Sequence, residues 1–321
     1  MEPKAITAAI REAAGEIRSV YFVGCGASKE ELYPAKYFLD REAKLLRPAL
    51  YTANEFVHAT PSAVDGTAIV ITCSLGGNTP ETVEAAKLAV QRGAHVVAIT
   101  HVADSPLAQA AQYVLVHGFE KDYAAKTEKM VNAVLLAAEI LNAYEGYAHY
   151  DELVQAAEKV YGLVENAAAS ARTPGRQFAE AYKDAPVVYV MSSGATQAVA
   201  YTFSLCLMME MQWINSAQFH DGEYFHGPFE ITDKDVPFIL LMNDGPTRPL
   251  DSRALTFLQR FQAKTTVVDG KDYNVGSLPT AVKEYFNPMV VSAVMRVYAE
   301  QIAQLRDHPL TMRRYMWKLE Y

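Results

Sequence analysis

The sequence predicts an α/β protein of two tandem units, each a parallel sheet flanked by helices in a flavodoxin-like, three-layer α/β/α arrangement. Three observations lead there. Apolar β-rich runs alternate with helical stretches, as parallel strands joined by crossovers require. The run Val20-Tyr21-Phe22-Val23-Gly24-Cys25-Gly26-Ala27-Ser28 returns 168 positions later as Val188-Tyr189-Val190-Met191-Ser192-Ser193-Gly194-Ala195-Thr196, each a strand entering a small-residue turn. The 321 residues, 50% hydrophobic, suffice for two cores, each of about 150 residues.

Taken in order, the first unit (1–150) should hold strands near 20–24, 46–51, 67–73, 95–100 and 112–116, with helices over 28–41 and 80–92. Ser28 and Glu31 fit a capping box, and Pro34 should kink that helix or delay its start. From Tyr123 to Lys183 the chain is Ala-rich and helical, with interruptions expected at Gly146, Gly162 and Pro174-Gly175, and the linker falls here. The second unit (151–321) repeats the alternation with strands near 187–191, 214–219, 236–242 and 265–269 and a long helix near 288–305. The tail from Arg306 to Tyr321 is cationic and aromatic without a clear period, so it either frays or folds over something.

A formal charge of −8 argues against nucleic acid as the main partner, so any bound anion should be small and held locally. Cys25, Cys73 and Cys206 sit in or beside apolar elements, the habit of reduced thiols. Residues 1–19 mix both charge signs, and no apolar run approaches the roughly 20 residues of a membrane span. A cytoplasmic protein without membrane contact is expected.

The segment Thr72-Cys73-Ser74-Leu75-Gly76-Gly77-Asn78-Thr79-Pro80-Glu81-Thr82 joins the apolar run Ala68-Ile69-Val70-Ile71 to a helix through hydroxyls and glycines. That pattern suits a phosphate cradle, with Pro80 in the first helical turn, although plain helix capping by Thr79 would leave the same trace. Its repeat, Asn243-Asp244-Gly245-Pro246-Thr247-Arg248-Pro249, has lost most hydroxyls and gained Asp244. An acidic side chain there repels an anion, so only the first unit should bind phosphate.

Glu210 interrupts the apolar stretch Leu205 to Trp213, where burial would raise its pKa and make it a better proton acceptor; a helix-end carboxylate with its head in water is the bland reading. His226 lies in Phe219-His220-Asp221-Gly222-Glu223-Tyr224-Phe225-His226-Gly227-Pro228-Phe229-Glu230, where Gly-Pro directs the ring off a loop. Imidazole as a class can move a proton near neutral pH. The spacing of His220, Asp221, Glu223 and His226 matches no common zinc pattern, so no metal is expected. Gly24-Cys25-Gly26 begins like a dinucleotide fingerprint, but Lys29 stands where the third glycine belongs, which argues against a nucleotide cofactor.

Taken together, these segments resemble the duplicated sugar-isomerase (SIS) domains of the isomerase half of glucosamine-6-phosphate synthase and of the fructosamine 6-phosphate deglycases. The likeness covers nearly the whole chain. Cys25-Gly26-Ala27-Ser28 resembles the first-strand turn, and Ser74-Leu75-Gly76-Gly77-Asn78-Thr79 resembles a Ser-x-Ser-Gly-x-Thr phosphate loop in which Gly76 replaces a serine. By this resemblance Ser28, Ser74 and Thr79 touch the phosphate and sugar, with Gly26, Gly76, Gly77 and Asn78 completing the cradle. Glu210 falls on the carbon-acid base, and His226 falls on the ring-opening histidine, supplied by a neighbouring subunit; Glu223 and Lys318 are further candidates. A homodimer or larger assembly with a shared active site follows.

Glu210-Met-Gln-Trp213, Gly222 to Glu230 and His308 to Tyr321 are similar to bacterial deglycases of Amadori 6-phosphates. The resemblance therefore implies C–N cleavage of a ketosamine 6-phosphate to an aldose 6-phosphate and an amine, with no cofactor. Met1 is followed by Glu2 where a glutaminase would open on a nucleophilic cysteine, so no ammonia source is expected in this chain. A phosphosugar isomerase or amino-sugar phosphate deaminase using the same base, and a non-catalytic sugar-phosphate sensor, are the other readings.

Overall fold

The computed structural model describes residues 1–320 and separates into two compact units, Met1–Lys159 and a second beginning at Val160. In the first unit α1 (Pro3–Ala13) precedes β1 (Ser19–Gly24), α2 (Gly26–Glu30), α3 (Tyr33–Glu42), β2 (Arg47–Thr52) and α4 (Ala53–His58). Then come β3 (Ala68–Cys73), α5 (Pro80–Gln91), β4 (His95–Thr100), α6 (Pro106–Ala110), β5 (Tyr113–Val116) and α7 (Tyr123–Tyr144). The five strands form one parallel sheet in the order β2-β1-β3-β4-β5, with Ser19 opposite Ala68 and Gly24 opposite Cys73. Every residue of β1 and β3 is buried, as strands covered on both faces must be. One face of the core joins Tyr21, Val23, Val70 and Val96 to Phe56 of α4 and to Ala85, Ala86 and Ala89 of α5. Small side chains on α5 let the helix sit close to the sheet, which brings its N-terminus to the strand ends.

The helix expected over 28–41 is two helices. Pro34 lies in the first turn of α3, where its missing N–H has no helical partner to lose. Ser28 sits within α2, whose N-cap position is Cys25, so the capping box with Glu31 does not form. Of the expected interruptions only Gly146, at φ +78°, follows a helix end. Gly162 lies inside α8 (Tyr150–Ser170), which runs across the point where the units divide. Pro174 and Gly175 lie inside α9 (Arg172–Tyr182). Gly175 is there for contact: a Cβ would sit 3.0 Å from the Tyr298 ring.

The second unit continues with β6 (Val188–Ser192), α10 (Gln197–Tyr201), a π-helical stretch Thr202–Gln212, β7 (Ser216–His220) and β8 (Pro237–Met242). It ends with α11 (Arg248–Arg260), β9 (Lys264–Asp269) and α12 (Lys283–Leu305), which starts earlier than expected and carries Pro288 inside it. Its parallel sheet has the order β7-β6-β8-β9, matching β2-β1-β3-β4. The turns after β1 and β6 are also copies, with Gly26 at φ +53° and Gly194 at φ +59°. Positive φ is the conformation that only glycine adopts without steric cost, so the duplicated sequence preserves a backbone requirement. Met191, Phe238 and Leu240 pack on Tyr224, Ala254 and Leu258 to form one face of the core.

Candidate active site

At the carboxyl end of β3 the loop 74–79 is shaped by its own contacts. Ser74 N–H donates to Ile99 O at 3.2 Å and Gly77 N–H to Ser74 O at 3.1 Å, which folds the loop back over the strand end. Gly77 has φ +65°, and a Cβ there would lie 2.0 Å from Ser105 Oγ, so no other residue fits. Thr79 occupies the N-cap position of α5, yet its side chain makes no capping bond; its hydroxyl instead lies 2.9 Å from Ser74 Oγ. Simple capping is thereby excluded, and two hydroxyls face each other at the start of a 12-residue helix. Among the described residues none accepts from the backbone N–H of Gly76 or Asn78. Free N–H groups, a pair of hydroxyls and the positive end of a helix dipole are what a phosphate monoester binds. Asn78 is exposed, while Ser28 on α2 is half-buried and bonds towards the Cys73 thiol.

The corresponding loop after β8 is closed. Asp244 pairs with Lys283 at 2.6 Å and with Lys271 at 3.7 Å, and a Cβ on Gly245 would meet the Glu284 side chain at 2.7 Å. An anion would meet a carboxylate in place of open N–H groups.

Glu210 lies on the π-helical stretch, an uncommon geometry that recurs at functional positions. The stretch ends at Trp213 in the left-handed region, φ 55°, a strained conformation for an aromatic residue. Burial raises the Glu210 pKa, and the Arg313 guanidinium, 2.8 Å away, opposes that rise. Arg313 belongs to the C-terminal tail, whose residues 308–314 pack on the Glu210 stretch. Gln212 Nε2 donates to His308 O at 2.8 Å, the Trp213 and His308 rings meet edge-on at 4.4 Å, and Arg314 stands 4.3 Å over the Trp213 ring. Lys318 is exposed and donates its Nζ to Arg313 O at 2.6 Å, which turns it back on the tail. Tyr321 lies outside the described residues.

His226 ends a short 3-10 turn, Tyr224–His226, and is exposed; Gly227 follows at φ +139°. Glu223 is exposed too, and its backbone N–H donates to His220 O at 2.8 Å. Asp221, at the start of this loop, turns the other way. It is 1% exposed and faces Asp251 of α11. Asp251 accepts from Ser193 Oγ and, at Oδ2, from Asn243 N at 3.0 Å and Asn243 Nδ2 at 2.9 Å. Asp221 has no such donors. Burial first, and the facing carboxylate second, push the Asp221 pKa up, so Asp221 carries the proton and Asp251 the charge. The residues 220–226 therefore do not converge; among the described residues no three His, Cys, Asp or Glu side chains gather as metal ligands.

Sequence reasoning missed Arg313 and the Asp221–Asp251 pair. Arg313 sits in an aperiodic tail, and the two aspartates are 30 residues apart on different elements. No periodicity connects them.

The SIS domain model matches residues 16–137. The fructosamine deglycase FrlB of Bacillus subtilis is 42% identical over 305 residues, 95% of this chain and 93% of that protein. This chain belongs to the SIS domain family. The fructoselysine 6-phosphate deglycase of Escherichia coli K12 is 27% identical across 94% of this chain and 86% of its own length. A crystal structure of a proposed phosphosugar isomerase from Salmonella typhimurium LT2 superposes with TM-score 0.96 at 43% identity, covering 100% of this chain and 96% of that one. No helix among the described residues is long and apolar enough to cross a membrane.

Proposed function

We propose that this chain is a sugar-phosphate deglycase, hydrolysing the C–N bond of a ketosamine 6-phosphate to an aldose 6-phosphate and a free amine. The observation that carries this reading is the 42% identity to a fructosamine deglycase, sustained over 95% of the chain. In this reading each candidate residue has a part. Ser74, Thr79 and the open N–H groups before α5 anchor the phosphate, aided by Ser28. His226 moves a proton between the ring oxygen and solvent as the sugar opens. Glu210, made more basic by burial, takes the C1 proton of the open-chain 1-amino-2-ketone, giving an enaminol. Protonation at C2 leaves an imine at C1; water adds to C1, and the C–N bond breaks as nitrogen leaves protonated.

His226 is exposed on its loop, a position that suits a ring serving a neighbouring copy, and we expect a homodimer or larger assembly. Three cysteines without disulfide partners agree with a reducing, cytoplasmic setting.

A second reading, aldose–ketose isomerisation, is favoured by the likeness to the proposed isomerase and shares the first proton transfer. The two part at water. Incubation with a panel of ketosamine 6-phosphates in H₂¹⁸O, with prompt trapping, should give amine and aldose phosphate in equal amounts, with label at the C1 oxygen. Interconversion of plain sugar phosphates with no amine from any ketosamine would transfer the assignment to the isomerase.

A further inference from the structure

Asp251 takes a place in the second unit that has a counterpart in the first. It lies two residues after Pro249 in the first turn of α11, as Thr82 lies two after Pro80 in α5. Thr82 Oγ1 stands 4.0 Å from Cys25 Sγ in the turn after β1. Asp251 instead accepts from Ser193 Oγ in the turn after β6, and from Asn243 N at 3.0 Å and Asn243 Nδ2 at 2.9 Å at the head of the closed loop. A fully buried carboxylate of the chain itself thus takes the donors of the turn and loop that duplicate those proposed for phosphate. Asp221, the first residue after β7, faces this resident anion and has no donor of its own. Two buried carboxyl groups in contact share one proton, and the donors already spent on Asp251 leave that proton on Asp221, which donates it to Asp251.

The other polar groups around the pair are engaged elsewhere. Arg248 of α11 is held by Asp269 at 2.8 Å, Arg253 lies 4.0 Å over the Phe225 ring, His220 Nδ1 accepts from Gly222 N at 3.0 Å, and Tyr224 shares its hydroxyl with Thr232 in the same segment. Of the side chains from 221 to 226, Asp221 alone hydrogen-bonds to another element among the described residues. Tyr224 and Phe225 pack on Phe238 and Phe257, contacts that hold the segment down without the directionality of a hydrogen bond. We propose that Asp221 is a positioning residue for His226: its protonated carboxyl ties the start of the loop to Asp251, so that the second unit's copy of the phosphate site serves as an anchor for the ring-opening histidine. This rests on the deglycase reading and deepens it. The tie exists only while Asp221 keeps its proton. Burial and the facing carboxylate push its pKa up to about 9, so the tie is present at neutral pH and is lost as pH rises, when two facing carboxylates repel and the loop start is freed.

The test compares the ketosamine 6-phosphate cleaved best with its 5-deoxy analogue, scoring amine release. The ring of the parent closes through the C5 hydroxyl, so the deoxy compound stays open and has no need of His226. Near neutral pH, Asp221→Ala should lower kcat for the cyclic substrate at least about tenfold and for the open one less than about threefold, as loss of a charge-assisted hydrogen bond to one side of the site implies. Asp221→Asn should rescue the cyclic substrate, since an amide also donates to Asp251. In wild-type protein the cyclic-to-open ratio of kcat should fall as pH rises from neutral towards about 9, and in Asp221→Asn it should stay level. Both proteins carry the same His226, so its own titration cancels, and this comparison stands even if Asp221→Ala fails to fold. Equal slowing of both substrates in Asp221→Ala, or the same alkaline fall in Asp221→Asn as in wild-type protein, overturns the proposal and leaves the deglycase standing. If wild-type protein releases amine from no ketosamine, the deglycase reading fails and amide exchange decides the anchor. At one fixed pH the amides of Glu223 and His226, bonded to His220 O and Glu223 O, should exchange at least about tenfold faster in Asp221→Ala and unchanged in Asp221→Asn. Equal exchange in all three proteins overturns the anchor.

Discussion

At the scale of single residues, two carboxylates define what the second unit can do, and environment separates them. Glu210 is half-buried; desolvation raises its pKa and the Arg313 guanidinium opposes the rise. Replacing it with glutamine preserves size and removes the base; kcat should fall by about 10²–10⁴ with little change in substrate affinity. His226→Asn should slow cyclic substrate more than open-chain substrate. Steady-state rates with each form check both, and near-parent turnover in either variant would remove that residue's role. Asp221 has the opposite character, a buried acid held neutral against Asp251, with Tyr224 beside it and Arg248 the cation near Asp251. Its folded pKa lies above its unfolded value, so the folded state retains a proton that the unfolded chain has lost. Stability should therefore fall as pH rises from the ordinary aspartate range towards about 9, by about 1.4 kcal/mol per unit at most for one proton. Asp221→Asn should flatten that slope in denaturant titrations at successive pH values. A slope that persists in the variant would place its origin elsewhere.

At the scale of elements, the loop 74–79 and α5 work as one part. The hydroxyls of Ser74 and Thr79 pair with each other in place of capping the helix, which keeps them and the helix N-terminus open to an anion. Removing both, as Ser74→Ala with Thr79→Val, should weaken binding of phosphorylated substrate at least tenfold, for the loss of roughly 1–3 kcal/mol of charge-assisted hydrogen bonding. Calorimetric titration with phosphorylated substrate measures it, and unchanged affinity would exclude the loop. Strand positions were legible because buried parallel strands leave continuous apolar runs, and β3 and β8 are buried at every residue. Helix breaks were less so. Gly162 and Gly175 looked like punctuation, but one is carried inside a long helix and the other exists to admit Tyr298. The π-helical geometry around Glu210 left no trace in the apolar pattern, because the stretch is apolar on nearly every side and carries no period to distinguish one helix type from another.

At the scale of the whole molecule, duplication has produced two sheets of matching order and two loops of opposite electrostatics. The sequence repeat, with Asp244 in one copy only, made that asymmetry readable; the lysines that pair with Asp244 come from the turn after β9 and the start of α12 and could not be foreseen. The tail offered no period, so its docking on the Glu210 helix emerged only in three dimensions. That docking has an optical consequence. The chain contains two tryptophans. Trp213 lies under Arg314, and Trp317 lies 5.1 Å from the Arg313 guanidinium. Both indoles thus sit on the same few residues that cover the candidate base, with no other indole to contribute background. Emission excited selectively at the indoles, apart from the 19 tyrosines, is therefore a spectroscopic readout of this one corner, and a change on adding ligand can be assigned to the contact between the tail and the Glu210 stretch without attaching a dye.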